Sequence, residues 1–336
     1  RGEPVDGVRV LARGGGEVIA VLSIGIPMVA LMLSSQFFLE GINRPLPGMV
    51  LMLIANILNI FLNWTLVWGH LGFEPMGVIG SAWATNIVRI FLAISMLCYV
   101  IFALDREKFG LFEKADTTWK SWKKLRHIGY AAGFTNTVEH LGFAALYIFA
   151  GLLGTISLGA LTIAFTTFGV PFMICYGVAG ATAVRVGIAL GRKDRQDMAL
   201  AGLCGLAFNG MICLPLMVIL ILFPTQIASL FSTDVLLIAA TAPLIALSAW
   251  MLFLDTAQTV IGNALRGAQD IWMPAIFYII CYSLVMVPLA YYLTFTLDHG
   301  TIGLIECIIV ASFLSISLLL SRFLYLTLLK KQPDHD

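Results

Sequence analysis

Residues 236–263 read LLIAATAPLIALSAWMLFLDTAQTVIGN, and Asp255 is the single charged residue in this stretch. A helix needs about 20 mainly apolar residues to cross the hydrocarbon core of a bilayer, so the stretch predicts a membrane-spanning helix. Eight further segments share this character, which predicts an all-α membrane protein. The nine predicted spans cover residues 17–39, 46–69, 77–103, 127–150, 157–190, 198–223, 236–263, 272–295 and 302–329. The fifth contains Pro171 and Gly177, so we expect a kink or a break there.

The composition of the whole chain agrees with a membrane protein. Hydrophobic residues make up 60% of the 336 residues and charged residues 12%, whereas a soluble domain has about 25% charged residues. We therefore expect the lipid bilayer to surround most of the chain. The net charge is +1 and the basic residues are scattered among short loops, which argues against nucleic acid as a partner.

The distribution of Lys and Arg predicts how the spans are oriented. Basic residues occur at Arg44, at Arg266 and in residues 104–126, 191–197 and 330–331, whereas residues 70–76, 151–156, 224–235 and 296–301 contain no Lys or Arg. By the positive-inside rule the basic set is cytoplasmic, which places the C-terminus on the cytoplasmic side of a bacterial inner membrane. The chain starts with Arg1 and shows no signal-peptide core, so we expect a truncated N-terminus that lies outside.

An internal repeat links the first three predicted spans to the last three. Gln258 lies 222 positions after Gln36, and Arg266 lies 222 positions after Arg44. Each pair is followed by a Gly-x-Ile-Gly motif, at residues 77–80 and 300–303. The three middle spans have no such counterpart in the chain, so we expect three further helices before residue 1.

This repeat predicts twelve spans in two parallel lobes, an arrangement found among secondary transporters. Residues 1–126 would then be part of the first lobe, together with the cytoplasmic connection 104–126. Residues 127–336 would be the complete second lobe with a short cytoplasmic tail. Because part of the first lobe would be missing, the chain alone is not expected to transport.

Two acidic residues lie deep in predicted spans of the second lobe. Glu139 is about 20 Å and Asp255 about 17 Å from the predicted cytoplasmic ends of their helices, at 1.5 Å per residue. An ionisable residue at this depth is costly and is a functional candidate by default. The two carboxylates could share a cation or a proton. The alternative is a pair of separate buried acids that only form hydrogen bonds.

Several other polar residues in the spans have two interpretations each. Arg89 is either a packing residue bonded to backbone carbonyls or the partner of an acid outside this chain. His140 adjoins Glu139 but points about 100° away around the helix, so it is either structural or an auxiliary proton carrier. Asn56, Asn59 and Asn63 share one helix face, where they either bond neighbouring helices or line an ion path.

Five segments, in this order along the chain, resemble the multidrug and toxic compound extrusion (MATE) family. They run from Leu58-Asn59 to Trp68-Gly69, then Gly77-Val-Ile-Gly-Ser-Ala-Trp-Ala-Thr85, Val184-Arg185-Val-Gly187-Ile-Ala-Leu-Gly191, Leu230-Phe231-Ser-Thr-Asp234 and Ala264-Leu265-Arg266-Gly267. The resemblance implies a two-lobe bundle of twelve helices, of which this chain would hold the fourth to the twelfth.

The resemblance also implies a function and a set of site residues. Members of the family are antiporters that use Na⁺ or H⁺ to export amphipathic, often cationic, drugs. The NorM-like branch has acids on the seventh and tenth helices, which Glu139 and Asp255 match. In the first lobe the best matches to the family's polar site are Gln36, Asn59 and Thr85, and its first-helix acid is not in this chain.

The implied function has two competitors. A lipid-linked oligosaccharide flippase of the same superfamily is expected to line its cavity with Arg and Lys, whereas the second lobe here offers acids. A membrane-embedded enzyme is remote, because no HExxH, GxSxG or Asp-rich metal motif occurs. We therefore expect a monomeric transporter of small molecules with no organic cofactor, and no metal site beyond Na⁺ at Glu139 and Asp255.

Overall fold

A computed structural model describes residues 3–105, 109 and 118–329, without the side chains of residues 3–13, 124 and 329. The chain forms two compact units, Arg1–Asp116 and Thr117–Asp336. Several of the basic residues used for the orientation, namely Arg106, Lys108, Lys114, Lys330 and Lys331, lie outside the described residues.

The regular structure of the described residues is helical. Unit 1 contains α1 (Glu3–Ile24), α2 (Ile26–Gly41), α3 (Leu46–Leu66) and α4 (Gly77–Phe102). Unit 2 contains α5 (Lys123–Leu153), α6 (Thr155–Gly191), α7 (Arg195–Leu222), the short α8 (Pro224–Ser229), α9 (Val235–Gly267), α10 (Trp272–Thr296) and α11 (Thr301–Leu324). A π-helical turn, Tyr325–Leu329, extends α11.

The predicted all-helical membrane fold is confirmed. Within the described residues, eight helices are long and apolar enough to cross a membrane, and a ninth span results if the bent pair α1–α2 counts as one. Each of these coincides with a predicted span to within a few residues.

Asp194 and Asp234 cap α7 and α9 by accepting bonds from the backbone N–H groups of Asp197 and Leu236, both at 2.9 Å.

The predicted span 17–39 is not one straight helix. It consists of the end of α1 and all of α2, which meet at Gly25 with a bend of 44°. Pro27 stands in the first turn of α2, where its missing N–H cannot continue the bonding of α1. The bend therefore leaves backbone carbonyls at the end of α1 in need of other partners.

Two side chains of α4 supply those partners. Asn86 donates from Nδ2 to the carbonyl oxygen of Val21 at 2.5 Å, and Arg89 donates from Nη1 to that of Leu22 at 3.5 Å. Asn86 is buried, and a side chain at Gly25 would collide with it. For Arg89 this contact agrees with the packing interpretation, in which the guanidinium satisfies a backbone carbonyl.

Substituting Leu for Asn86 should destabilise unit 1 by about 1–3 kcal/mol, because the carbonyl of the half-buried Val21 loses its donor. Thermal melting of the purified protein in detergent measures the effect. Asn56→Leu is the matched control, since Asn56 is exposed on α3. Equal melting temperatures for the two variants would mean that Asn86 does not support the bend.

Helix α6 runs without interruption from Thr155 to Gly191. The sequence predicted a kink or a break in this span, and the prediction of a break is wrong. Pro171 is buried inside this helix. A proline removes one backbone hydrogen bond, to the residue four positions earlier. Helix α6 packs along much of its length against α9 and α7, and this packing outweighs the loss of one bond.

The first glycine of the repeated Gly-x-Ile-Gly motif has a positive φ angle in both units. Gly77 has φ +55° and Gly300 φ +56°, a left-handed conformation that glycine adopts at little cost. A Cβ on Gly80 would lie 2.6 Å from the carbonyl oxygen of Leu66, and one on Gly303 would lie 3.0 Å from the Cβ of Leu293. The second glycine of the motif, Gly80 or Gly303, thus lets its helix approach the preceding helix closely in both units.

The basic residues of the repeat are less alike than the glycines. Arg44 follows the end of α2, whereas Arg266 lies in the last turn of α9. The predicted span ends at residue 263, which would place Arg266 in the following turn, and this is wrong because α9 continues to Gly267. Helix α9 is the centre of unit 2 and packs against α6, α7 and α11.

Candidate functional site

Asp255 lies on the buried face of α9 and is only 3% exposed. Its Oδ1 accepts a hydrogen bond from the Tyr282 hydroxyl at 2.9 Å and one from Ser312 Oγ at 3.3 Å. Gln258, one turn further along α9, donates to the same oxygen through Nε2. Donors from α9, α10 and α11 therefore converge on one carboxylate oxygen, as a buried charge requires.

Tyr282 reaches Asp255 from an unusual part of α10. Residues Ile279–Met286 form a π-helix, which winds less tightly than an α-helix and shifts the angular positions of its side chains. Tyr282 is fully buried, and its hydroxyl also contacts Nε2 of Gln258. Long π-helical stretches are rare and often occur at functional sites.

Helix α5 brings Glu139 to the same region of unit 2. The Glu139 side chain is half-buried, and its carboxylate is close enough to Asp255 and to Arg266 for their charges to interact. Phe143, one turn after Glu139, packs on Tyr282 with ring centroids 6.0 Å apart. Gly142 permits this approach, because its added Cβ would lie 2.8 Å from Met286.

Two buried side-chain oxygens near this centre, Gln258 Oε1 and Asn209 Oδ1, lack a hydrogen-bond partner among the described residues. The amide nitrogen of Asn209 donates to Thr256 Oγ1 at 3.0 Å, next to Asp255 along α9. Buried polar atoms usually have a partner. Carboxylate and amide oxygens are suitable ligands for a hard cation such as Na⁺ and suitable acceptors for a proton-carrying water.

His140, adjacent to Glu139 on α5, has an exposed side chain. Successive residues of a helix point about 100° apart, so His140 faces away from the half-buried Glu139. The structure thus does not place His140 with the cluster around Asp255, and an auxiliary role in proton transfer has no geometric support here.

The three candidate residues of unit 1 bond within their own helices. Gln36 Nε2 donates to Glu40 Oε1 at 2.9 Å on α2, and Thr85 Oγ1 donates to the carbonyl of Ser81 at 2.9 Å on α4. On α3, Asn63 Nδ2 donates to Asn59 Oδ1 at 3.1 Å. These bonds do not join the three residues into one cluster.

A cavity of about 290 Å³ lies beside Gln36 and Glu40 in unit 1, at the turn between α2 and α3. Pro45 and Gly48 form part of its wall. Glu40 is an acid that the sequence reasoning did not consider. It lies near the end of α2, where charged residues commonly reach the membrane surface, so the sequence offered no signal for it.

The chain is similar to known proteins over most of its length. Residues 131–292, which include Glu139, Asp255 and Tyr282, match the MatE family. The probable multidrug resistance protein NorM of Caulobacter vibrioides is 36% identical over 315 residues, covering 93% of this chain and 66% of that protein. The multidrug resistance protein NorM of Photobacterium profundum is 31% identical, covering 81% of this chain and 60% of that protein.

The chain belongs to the MATE family. A crystal structure of MATE in the straight conformation superposes with a TM-score of 0.79 over 91% of this chain and 69% of that one, at 20% identity, which supports the MATE fold. The chain thus spans about two thirds of the length of the Caulobacter relative and less of the other.

For this MATE chain, sequence reasoning found the two central acids and missed most of their surroundings. The sequence analysis used Gln258 only to identify the repeat, and it did not identify Tyr282 or Ser312 at all. Tyrosine and serine are common in membrane helices, so their identity gives no signal. Their contact with Asp255 depends on how α10 and α11 are rotated, which the sequence pattern does not fix.

Proposed function

We propose that this protein exports small amphipathic, often cationic, compounds in exchange for Na⁺ or H⁺. The observation that carries the proposal is Asp255, a carboxylate buried in the middle of a membrane span with Glu139 close by. The relatives' names, multidrug resistance protein NorM, support the same substrate class. The proposal places the protein in a bacterial inner membrane with a cytoplasmic C-terminus.

The surroundings of Asp255 suit an ion that binds and leaves. Gln258, Tyr282 and Ser312 all donate to Oδ1, so we assign the other oxygen, Oδ2, to the coupling ion. Gln258 Oε1, buried without a partner, is a second oxygen for the same ion. Keeping a charge at this depth costs about 2.5–3.5 kcal/mol on insertion scales, which a purely structural residue would not need.

Coupling requires that the ion bind one conformation of the transporter better than the other. Glu139 and Asp255 lie on different helices, so a relative movement of α5 and α9 would change the distance between their carboxylates. Carboxylates that approach favour a shared cation or proton, and carboxylates that separate release it. Alternating access requires that the ion be bound and released in this way, in exchange for the substrate.

The test is transport of a fluorescent cationic dye by vesicles that contain the complete gene product. Dye should accumulate against its own gradient when Na⁺ or H⁺ flows the opposite way. This accumulation should stop when an ionophore removes the ion gradient. Separate Na⁺ and H⁺ gradients identify the coupling ion. Transport that is equally fast in both directions without any gradient, or none above protein-free vesicles, would contradict the proposal.

A further inference from the structure

Helices α6 and α7 leave a groove on the surface of unit 2. Its volume is about 330 Å³, and its wall is apolar over most of its area. The wall includes Val178, Ala181, Leu200, Cys204 and Phe208. Helix α7 is among the least buried spans of unit 2.

The groove has a closed floor, because the two helices touch below it. A Cβ on Gly205 would collide with the side chain of Thr182, so glycine is needed for this approach. Along α7, Leu200 is 61% and Phe208 55% exposed, and they border the groove over about two helical turns. An extended hydrocarbon chain fits a groove of this shape.

One end of the groove carries two arginines that share one acid. Arg185 on α6 and Arg192 after it both pair with Asp197 of α7, the first at 3.8 Å through Nη2 and Oδ1 and the second by direct contact with Oδ2. The two arginine side chains are 59% and 57% exposed. A single carboxylate cannot neutralise two guanidinium groups, so this end of the groove is positive.

A second, polar cavity adjoins this end. It measures about 480 Å³ and lies between the α6–α7 turn and the end of α11. Arg192, Lys193 and Arg195 line it together with Thr327. The acid in its wall, Asp194, is engaged as the cap of α7, since its Oδ1 accepts from the N–H of Asp197.

We propose that the groove and this basic end bind an anionic phospholipid. An acyl chain lies along α6 and α7, and the phosphate lies against Arg185 and Arg192, whose planar donors match phosphate oxygens. Basic pockets between membrane helices are suited to anionic head groups. A zwitterionic lipid adds its own cation to this positive region, so it binds less well.

Native mass spectrometry of the complete protein in detergent tests the site, with phosphatidylglycerol and phosphatidylcholine titrated separately. The double variant Arg185→Gln/Arg192→Gln should bind phosphatidylglycerol about 30-fold more weakly, because each basic side chain contributes about five- to sixfold. Phosphatidylcholine binding should change less than phosphatidylglycerol binding. Arg44→Gln, which removes an exposed charge in unit 1, should leave both lipids unaffected.

A second variant tests the acyl chain separately from the head group. Cys204→Trp fills the groove and leaves both arginines in place, so it should weaken binding of both lipids. Thermal melting without added lipid checks that each variant is folded. Unchanged phosphatidylglycerol binding in the folded double variant would overturn the proposal. So would equal loss from Arg44→Gln, or full displacement of the lipid by inorganic phosphate, which would indicate a site for a free anion.

Discussion

Replacing Asp255 by Asn should lower gradient-driven dye transport about 100-fold, the upper part of the usual range for coupling between two sites. Asn has almost the same shape, so the packing around this position should survive. The amide carries no charge, however, and can neither release a proton nor balance Na⁺. The initial rate of dye movement in vesicles, at equal amounts of inserted protein, measures the loss.

Two controls separate coupling from folding in this experiment. Tyr282→Phe removes one of the three donors to Asp255 but keeps the carboxylate, so transport should fall only about tenfold. Glu306→Gln neutralises an acid that pairs with His299 at 2.7 Å near the start of α11, and transport should persist. If Asp255→Asn transports like the unaltered protein under both gradients, Asp255 is only a buried hydrogen-bonding residue.

Most of the fold could be predicted because lipid imposes one strong constraint on the chain. A span must be helical and apolar over about 20 residues, and eight predicted spans satisfy this in the structure as single helices. The bend at Gly25 was not predicted, although Pro27 lies next to it, because apolar residues continue on both sides of the bend. The π-helix in α10 left no trace in the sequence pattern at all.

The candidate site could likewise be predicted only in part from the sequence. Glu139 and Asp255 could be found because an acid in an apolar stretch is rare and costly. Residues that complete the site are ordinary members of their helices, and only the rotation of α10 and α11 about their axes brings Tyr282 and Ser312 to Asp255. Sequence patterns specify which residues share a helix face, but they do not specify which faces of different helices meet.

Glu139→Gln should reduce gradient-driven transport as severely as Asp255→Asn, even though Glu139 is less buried. The carboxylates of the two residues lie close enough to interact, and they are proposed to hold one ion between them. Removing either charge then removes the same binding step. The measurement is again the initial rate of dye movement under the gradient that drives the unaltered protein.

The double variant Glu139→Gln/Asp255→Asn distinguishes a shared site from two independent acids. If the two carboxylates act together, the double variant should transport no more slowly than the slower single variant, because the step is already lost. If each acid contributes separately, the two reductions should multiply and the residual rate should fall far below either single value. The comparison uses residual rates only, so it needs a dye assay sensitive over about four orders of magnitude. Multiplied losses would mean that Glu139 and Asp255 do not share a coupling ion.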